Sequence, residues 1–300
     1  MTRALSGMFA ALMTGLDDEG SFSPERQKAL TRYVQGQGLA GLYVGGSSGE
    51  SGLLEREALA EQQRIVRDVT MGTGQVLIAH VGVPSLTDSI SLARSAKALG
   101  YDALSALPPH SYPFSDEEIF GYYKELAAAT DLPLIVYEIP IRTGRPIPID
   151  LLERILDLPH VVGIKFTSAD IYKLALLKRH RPNKLFYFGF DEIFASGAMA
   201  GVDGGIGTTY NLFGRLYAAI WKAFQDRDMS KMLELQALSQ EFVELLVQTG
   251  VLPGMKVAMR IGASVDCGPT RAPMAMRHAD PEGLLRPFLE RPDVKQWSAV

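Results

Sequence analysis

Apolar positions in this chain gather in short unbroken runs, separated by longer stretches where they recur every three or four residues. The runs are "GMFAALMT" (7–14), "GLYVGG" (41–46), "VLIAHVG" (76–82), "DALSALP" (102–108), "PLIVYEIP" (133–140), "VVGIKFT" (161–167), "LFYFGF" (185–190) and "GGIGTT" (204–209). Runs of that length without polar alternation fit strands buried on both faces of a parallel sheet. The stretches between them carry helix signals. Ser23 stands as N-cap before Pro24 at the first helical position, and Gly36 and Gly38 close that helix. Residues 54–69 and 85–100 continue the pattern, and 115–130 opens with a capping box from Ser115 to Glu118. Segments 149–158, 169–182 and 191–201 complete the alternation.

Eight strands, each followed by a helix, predict an α/β fold, a (β/α)8 TIM barrel with a C-terminal helical extension. The boundaries expected are 1–225 for the barrel and 226–300 for the extension, packed together as one structural unit. An open doubly wound sheet is the alternative, but no G-x-G-x-x-G follows the first strand.

Composition narrows the functional classes. Of 300 residues, 47% are hydrophobic and 21% charged, and the net charge is −4 with no long block of one sign. That balance gives no footprint for nucleic acid or a membrane surface. The only cysteine, Cys267, has no internal disulfide partner and fits a reducing compartment. The first twenty residues make a poor signal peptide, and no run approaches the roughly 18 apolar residues of a membrane span. The expectation is a cytoplasmic protein. The five histidines (His80, His110, His160, His180 and His278) are scattered, none at metal-ligand spacing, so no protein-bound metal is expected.

Barrels of this type place their chemistry at the C-terminal ends of the strands. The polar residues expected there are Ser47, Ser48 and Glu50 after the second strand, Tyr137 and Arg142 at the fifth, Lys165 and Thr167 at the sixth, Asp191 and Glu192 after the seventh, and Thr208 and Thr209 at the eighth. Each has an ordinary reading. Lys165 is equally compatible with a surface lysine and with a buried amine whose charge is suppressed, which makes a Schiff-base nucleophile. Tyr137 suits a core aromatic or a proton shuttle. The glycines of "GGSSGE" suit a tight turn or an anion cradle of backbone amides. Asp191 and Glu192 suit a helix N-terminus or a hydroxyl-binding pair. Their joint placement on one rim favours the functional reading.

The segments "GLYVGGSSGE", "PLIVYEIP", "IKFTSADIYKL", "GFDEIFASG" and "GVDGGIGTTYN" resemble, in order and spacing, the N-acetylneuraminate lyase branch of the dihydrodipicolinate synthase superfamily, over residues 5 to about 260. The resemblance implies class I aldolase chemistry on a homotetrameric barrel, cleaving a small-molecule 2-keto acid such as N-acetylneuraminate to pyruvate and an aldehyde. It implies that Lys165 forms the Schiff base, that Tyr137 moves the proton, and that Ser47 and Ser48 hold the keto-acid carboxylate. It also implies that Thr167, Gly189, Asp191, Glu192 and Thr208 contact the sugar chain. The protonated imine is then the electron sink, so no metal or organic cofactor is implied.

Several positions depart from that branch. Ser48 replaces a threonine, and "MTGL" replaces "TPF" after the first strand. "LPPHSYPFS" places Ser111 where a tyrosine from a neighbouring subunit usually extends the proton relay, leaving Tyr112 or His110 to compensate. Arg142 matches a carboxylate-binding arginine of dihydrodipicolinate synthases. The expectation is nonetheless that Arg142 turns outward or pairs with Glu138 or another acid, and that Asp191 matters more to substrate binding. The alternatives are a dihydrodipicolinate synthase, an aldolase or dehydratase of 2-keto-3-deoxy sugar acids, and a non-catalytic keto-acid-binding homologue.

Overall fold

The computed structural model describes residues 5–299. Its strands are β1 (Gly7–Ala11), β2 (Gly41–Val44), β3 (Val76–His80), β4 (Ala103–Ala106), β5 (Leu134–Glu138), β6 (Val161–Phe166), β7 (Leu185–Phe188) and β8 (Gly204–Gly207). Each pairs in parallel with the next, and β8 closes on β1. The fold is the (β/α)8 barrel, and all eight apolar runs form strands. Every strand ends before its run does, because the last residues of each run turn outward into the loops of the C-terminal mouth.

The helices are α1 (Pro24–Gln35), α2 (Arg56–Val69), α3 (Leu86–Ala98), α4 (Asp116–Ala128), α5 (Pro140–Thr143), α6 (Ile149–Leu156), α7 (Ile171–His180), α8 (Phe194–Met199), α9 (Tyr210–Gln225), α10 (Met229–Thr249), α11 (Val251–Ala263), α12 (Pro281–Leu289) and α13 (Pro292–Lys295). Ser23 caps α1 by accepting from Arg26 N–H, and both arms of the Ser115–Glu118 capping box are formed on α4. One helix differs from expectation. The segment 191–201 divides into a 3₁₀ turn at Asp191–Ile193 and the short α8. The break falls at Ile193, whose φ of −132° and ψ of 28° leave the helical range, and within α8 Gly197 allows close packing on β7, where a Cβ would stand 2.3 Å from the Phe188 ring.

Two apolar layers follow from the period-two alternation of strand side chains. Phe9, Tyr43, Ile78, Ile135, Tyr187 and Ile206 fill the barrel interior, with Phe9 edge-on to Tyr187 at 5.7 Å. The alternate residues, among them Leu42, Leu77, Val136, Ile164 and Phe186, face the helices. Among the described residues no single helix is long and apolar enough to cross a bilayer. The α10–α11 pair is apolar enough when counted together but bends by 115°.

A buried ion pair fixes the loop beyond β5. Glu138 faces outward from the barrel, and Lys173 of α7 reaches it at 2.8 Å while donating to Ile147 O at 2.6 Å. Ile147 N–H completes the clamp at 3.2 Å from Glu138. Glu138 is therefore engaged away from Arg142, and the expected pairing of those two does not form. Removing one member of a buried pair strands the other charge, at about 3–5 kcal/mol. Glu138→Ala is predicted to lose stability on that scale in urea denaturation, and Glu138→Met/Lys173→Met to recover most of it.

Candidate active site

Strand register brings the central pair together. Tyr137 and Lys165 stand opposite each other on β5 and β6, so both side chains point into the barrel. The same alternation that places Ile78, Ile135 and Ile206 inside carries His80, Tyr137 and Thr208 to the interior one period further on. These residues form a polar layer above the apolar one. Lys165 is 3% exposed, with Nζ 4.0 Å from the centre of the Tyr137 ring and 4.4 Å from that of Tyr43. It occupies a pocket walled by aromatic faces, and the surface-lysine alternative is excluded.

The electrostatics follow from that burial. Desolvation pushes the Lys165 ammonium below the usual lysine range, against the opposing pull of Tyr137 and Asp191. Burial raises the Tyr137 phenol, but the Lys165 cation, a hydrogen bond with Ser47 and the more distant Arg142 outweigh it and leave it below its ordinary value. Tyr137 is depressed only while the neighbouring nitrogen is positively charged, whether as ammonium or as iminium. Burial also pushes the His80 imidazole down to about 3, with Lys165 adding to the effect. His80 is thus neutral. Its Nδ1 pairs with Gly45 O at 3.0 Å and its Nε2 faces Leu107 N–H at 3.4 Å, which assigns the ring proton to Nδ1. The ring stands edge-on to Tyr137 at 5.9 Å.

A cavity of about 850 Å³ opens over this layer. Ser47, Ser48, Tyr137, Arg142, Lys165, Thr167, Gly189, Asp191, Glu192, Thr208 and Thr209 line it. Of the twelve residues expected at the mouth, eleven meet in this one space, and Glu50, buried against Lys256, does not line it. Ser47–Gly49 form a single 3₁₀ turn, and Ser48 Oγ lies 2.7 Å from Thr208 Oγ1. Gly189 acts by its lack of a side chain, since a Cβ there would stand 1.9 Å from Thr167 Oγ1. Asp191 is buried, and its Oδ2 accepts from Thr209 N–H at 2.8 Å and Thr209 Oγ1 at 2.7 Å. Its Oδ1 and the Thr167 hydroxyl have no hydrogen-bond partner among the described residues. Burial pushes the Asp191 carboxyl up to about 6, in spite of the Thr209 hydrogen bonds.

Arg142 lies on α5 at the cavity wall, exposed, and no acid pairs with its guanidinium among the described residues. The expectation that it pairs with an acid or turns away from the site gives way to an arginine available to the cavity. His110, Ser111 and Tyr112 go elsewhere. They line a separate cavity of about 410 Å³, where Tyr112 is 73% exposed and rests against Phe114. Within one chain none of the three reaches Lys165.

Other contributors were absent from the sequence reading. His80 and Tyr43 flank the central pair, and the period-two pattern of β2 and β3 was the signal that pointed them inward. Val243, Val247 and Val251 of α10 and α11, with Met274 and Met276, add apolar lining to the cavity. The 264–277 segment that carries the methionines is tied down by Glu50. This buried acid pairs with Lys256 at 2.7 Å and accepts from Arg271 N–H at 2.6 Å. Nothing in its local sequence signals that connection.

Fold and site define a barrel of the lysine-centred kind, with a dry amine and a tyrosine facing each other across adjacent strands. Residues 4–287 match the Dihydrodipicolinate synthetase family, and the chain belongs to it. The N-acetylneuraminate lyase of Salmonella agona is 40% identical over 278 residues, 92% of this chain and 93% of that protein. CdNal from Clostridium difficile, solved in complex with mannosamine, superposes with a TM-score of 0.92 at 29% identity, covering 98% of this chain and 100% of that one. The Ruminococcus gnavus sialic acid aldolase gives 0.93 at 26% identity, covering 98% and 99%.

The raised Asp191 carboxyl makes a stability prediction. Between pH 3.8 and about 6 the folded protein holds a proton there that the unfolded chain has released. Folding is therefore penalised progressively as pH rises through that window, and in full above it. Asp191→Asn, which carries no charge to desolvate, is predicted to raise the thermal midpoint by a few degrees at pH 8 and to leave it nearly unchanged at pH 4.

Proposed function

We propose that the protein is a class I aldolase, a carbon–carbon lyase that cleaves N-acetylneuraminate or a close relative to pyruvate and N-acetylmannosamine. The observation that carries this reading is the buried Lys165 facing Tyr137 in a cavity that Thr167, Asp191, Glu192 and Thr208 also line. Hydroxyls and acids at the edge of such a cavity suit the hydroxyls of a sugar-acid tail. Membership of the family and the lyase relatives support the same reading.

In this mechanism the neutral Lys165 amine adds to the C2 carbonyl, and the Tyr137 phenol gives its proton to the departing oxygen, so that water leaves and a protonated imine remains beside a phenolate. Ser47 and Ser48, with the backbone amides of their turn, hold the carboxylate. Tyr137 takes the proton of the C4 hydroxyl. The C3–C4 bond then breaks, its electron pair moves into the imine to form the enamine, and the aldehyde leaves. Proton return to C3 and hydrolysis release pyruvate and restore the amine. The iminium charge keeps the Tyr137 phenol depressed during bond cleavage, when an acceptor is needed. The chain's own amine supplies the electron sink, so the proposal requires no metal or organic cofactor. A cytoplasmic homotetramer belongs to the same reading. Exposed Tyr112, Ile141 and Tyr172, at 73%, 82% and 75%, support burial against other copies of the chain.

Trapping with pyruvate and borohydride is predicted to place the adduct on Lys165 by peptide mass spectrometry, and an adduct on another lysine would sink the mechanism. Tyr137→Phe is predicted to trap pyruvate normally while losing about 10²–10⁴-fold in kcat.

Arg142 supports a second reading, a dihydrodipicolinate-synthase-like or diacid-specific aldolase, because a free guanidinium at the wall suits a second carboxylate. The two readings separate in one experiment. For the sialic acid reading, Asp191→Ala raises KM by roughly tenfold, the equivalent of one charge-assisted hydrogen bond, and Arg142→Ala changes it little. The reverse pattern assigns the protein to the diacid class.

A further inference from the structure

Asp191 does not stand alone at the cavity wall. Behind it runs a buried series of hydrogen bonds from α10 to its carboxylate. Thr209 Oγ1 lies 2.7 Å from Asp191 Oδ2 and 2.7 Å from the Tyr217 hydroxyl. The Tyr217 hydroxyl lies 2.6 Å from Ser239 Oγ, and Gln236 Nε2 donates to Ser239 Oγ at 3.1 Å. The second Gln236 N–H donates to Asp191 O at 3.0 Å, with Ser239 Oγ also 3.2 Å from that oxygen. Thr209, Tyr217, Gln236 and Ser239 are all buried.

Proton counting gives the series a direction. Gln236 Oε1 accepts Ala195 N–H at 2.8 Å, which fixes the amide so that its nitrogen faces Ser239. Each hydroxyl has one proton to donate. Thr209 has two acceptors in reach, the Tyr217 hydroxyl and Asp191 Oδ2; when its one proton goes to the anion, Tyr217 donates to Thr209, and Ser239 is in reach of both Tyr217 and Asp191 O. With Ser239 donating to Tyr217, every member both donates and accepts, and bonds aligned this way polarise one another. The other carboxylate oxygen, Oδ1, has no hydrogen-bond partner among the described residues and lies against Gly207, where a Cβ would stand 2.1 Å from it.

We propose that Gln236, Ser239 and Tyr217 are positioning residues that act through Thr209 to hold Asp191 as an oriented anion at the cavity wall, where it meets the hydroxylated part of a 2-keto acid. This rests on the lyase reading above and extends it to the residues that maintain its specificity. The charged groups facing Asp191 are Lys165 from β6 and Glu192 from its own turn, with opposite effects on its charge, and the phenols of Tyr210 and Tyr217 from α9. The α10 contribution is neutral, so the relay works by donation alone. Burial pushes the Tyr217 phenol up, and it remains a donor.

Tyr217→Phe keeps the ring stacked 4.0 Å from Tyr210 and removes only the hydroxyl. With a donor lost, the Asp191 carboxyl rises further. The acid limb of kcat/KM for N-acetylneuraminate cleavage is expected to move upward by about one pH unit, with KM rising roughly tenfold at about pH 5 and about twofold near neutrality. Enamine formation with pyruvate, read as deuterium exchange of its methyl group, involves no hydroxylated tail and is expected to stay within about twofold of wild type. Thr209→Val repeats the shift more strongly and Thr209→Ser restores the wild-type profile, a comparison that stands even if Tyr217→Phe does not fold. An unmoved acid limb in Tyr217→Phe and Thr209→Val, or cleavage and exchange falling together, overturns the relay. A wild-type protein that exchanges no pyruvate deuterium overturns the lyase reading itself and the relay's role with it.

Discussion

A primary amine held dry between two aromatic rings is the constraint on which the rest of this site depends. At the floor of the barrel mouth, Lys165 has Tyr43 on one side and Tyr137 on the other, and no carboxylate contacts it. An ion pair would have stabilised the ammonium and removed its nucleophilicity. The molecule keeps its buried acid–lysine pairs elsewhere: Glu138 with Lys173 outside β5, and Glu50 with Lys256 beneath the 264–277 segment. Asp191, the nearest acid to act on Lys165, is directed instead toward Thr209. His80, which would add a second cation if protonated, is kept neutral by burial. The same desolvation suppresses the charge of both bases.

Those two paired acids also explain how the cavity acquires its walls. Glu138 and Lys173 anchor Ile147 and so define the ends of the loop carrying α5 and Arg142. Glu50 follows directly on the Ser47–Gly49 turn and ties it to Arg271, near Met274 and Met276. Each pair lies one layer behind a segment that faces substrate. The lining thus combines hydroxyls and acids with apolar side chains of α10, α11 and the 264–277 segment. A ligand with both hydroxylated and apolar parts matches that lining.

Much of this was legible in order along the chain. The apolar runs marked all eight strands, since burial on both faces leaves no polar alternation to confuse the reading. Ser23 and Ser115 marked helix starts because caps act within four residues. Eleven of the twelve residues expected at the mouth reach one cavity because barrel topology carries every strand end to the same rim. What failed to read correctly was non-local or depended on close packing. The helix expected over 191–201 breaks at Ile193, and its second part packs closely on Phe188 of β7 through Gly197. Arg142 remains at the cavity because Lys173, eight positions beyond Lys165 and on the next helix, had already engaged Glu138.

The sequence by itself determined the barrel, the lysine at the end of its sixth strand and the hydroxyls and acids around it, because each is encoded within a few residues by periodicity, capping and strand-end position. Only the tertiary structure decided what those groups are chemically. Burial, to which the rings of β2 and β5 contribute, pushes the Lys165 ammonium below the usual lysine range. Asp191 has one oxygen held by Thr209 and the other without a partner among the described residues, and Gln236 and Ser239, more than forty positions away, fix the turn. Desolvation and hydrogen-bond direction are properties of enclosed space, and a linear pattern carries no record of which distant side chains will enclose it.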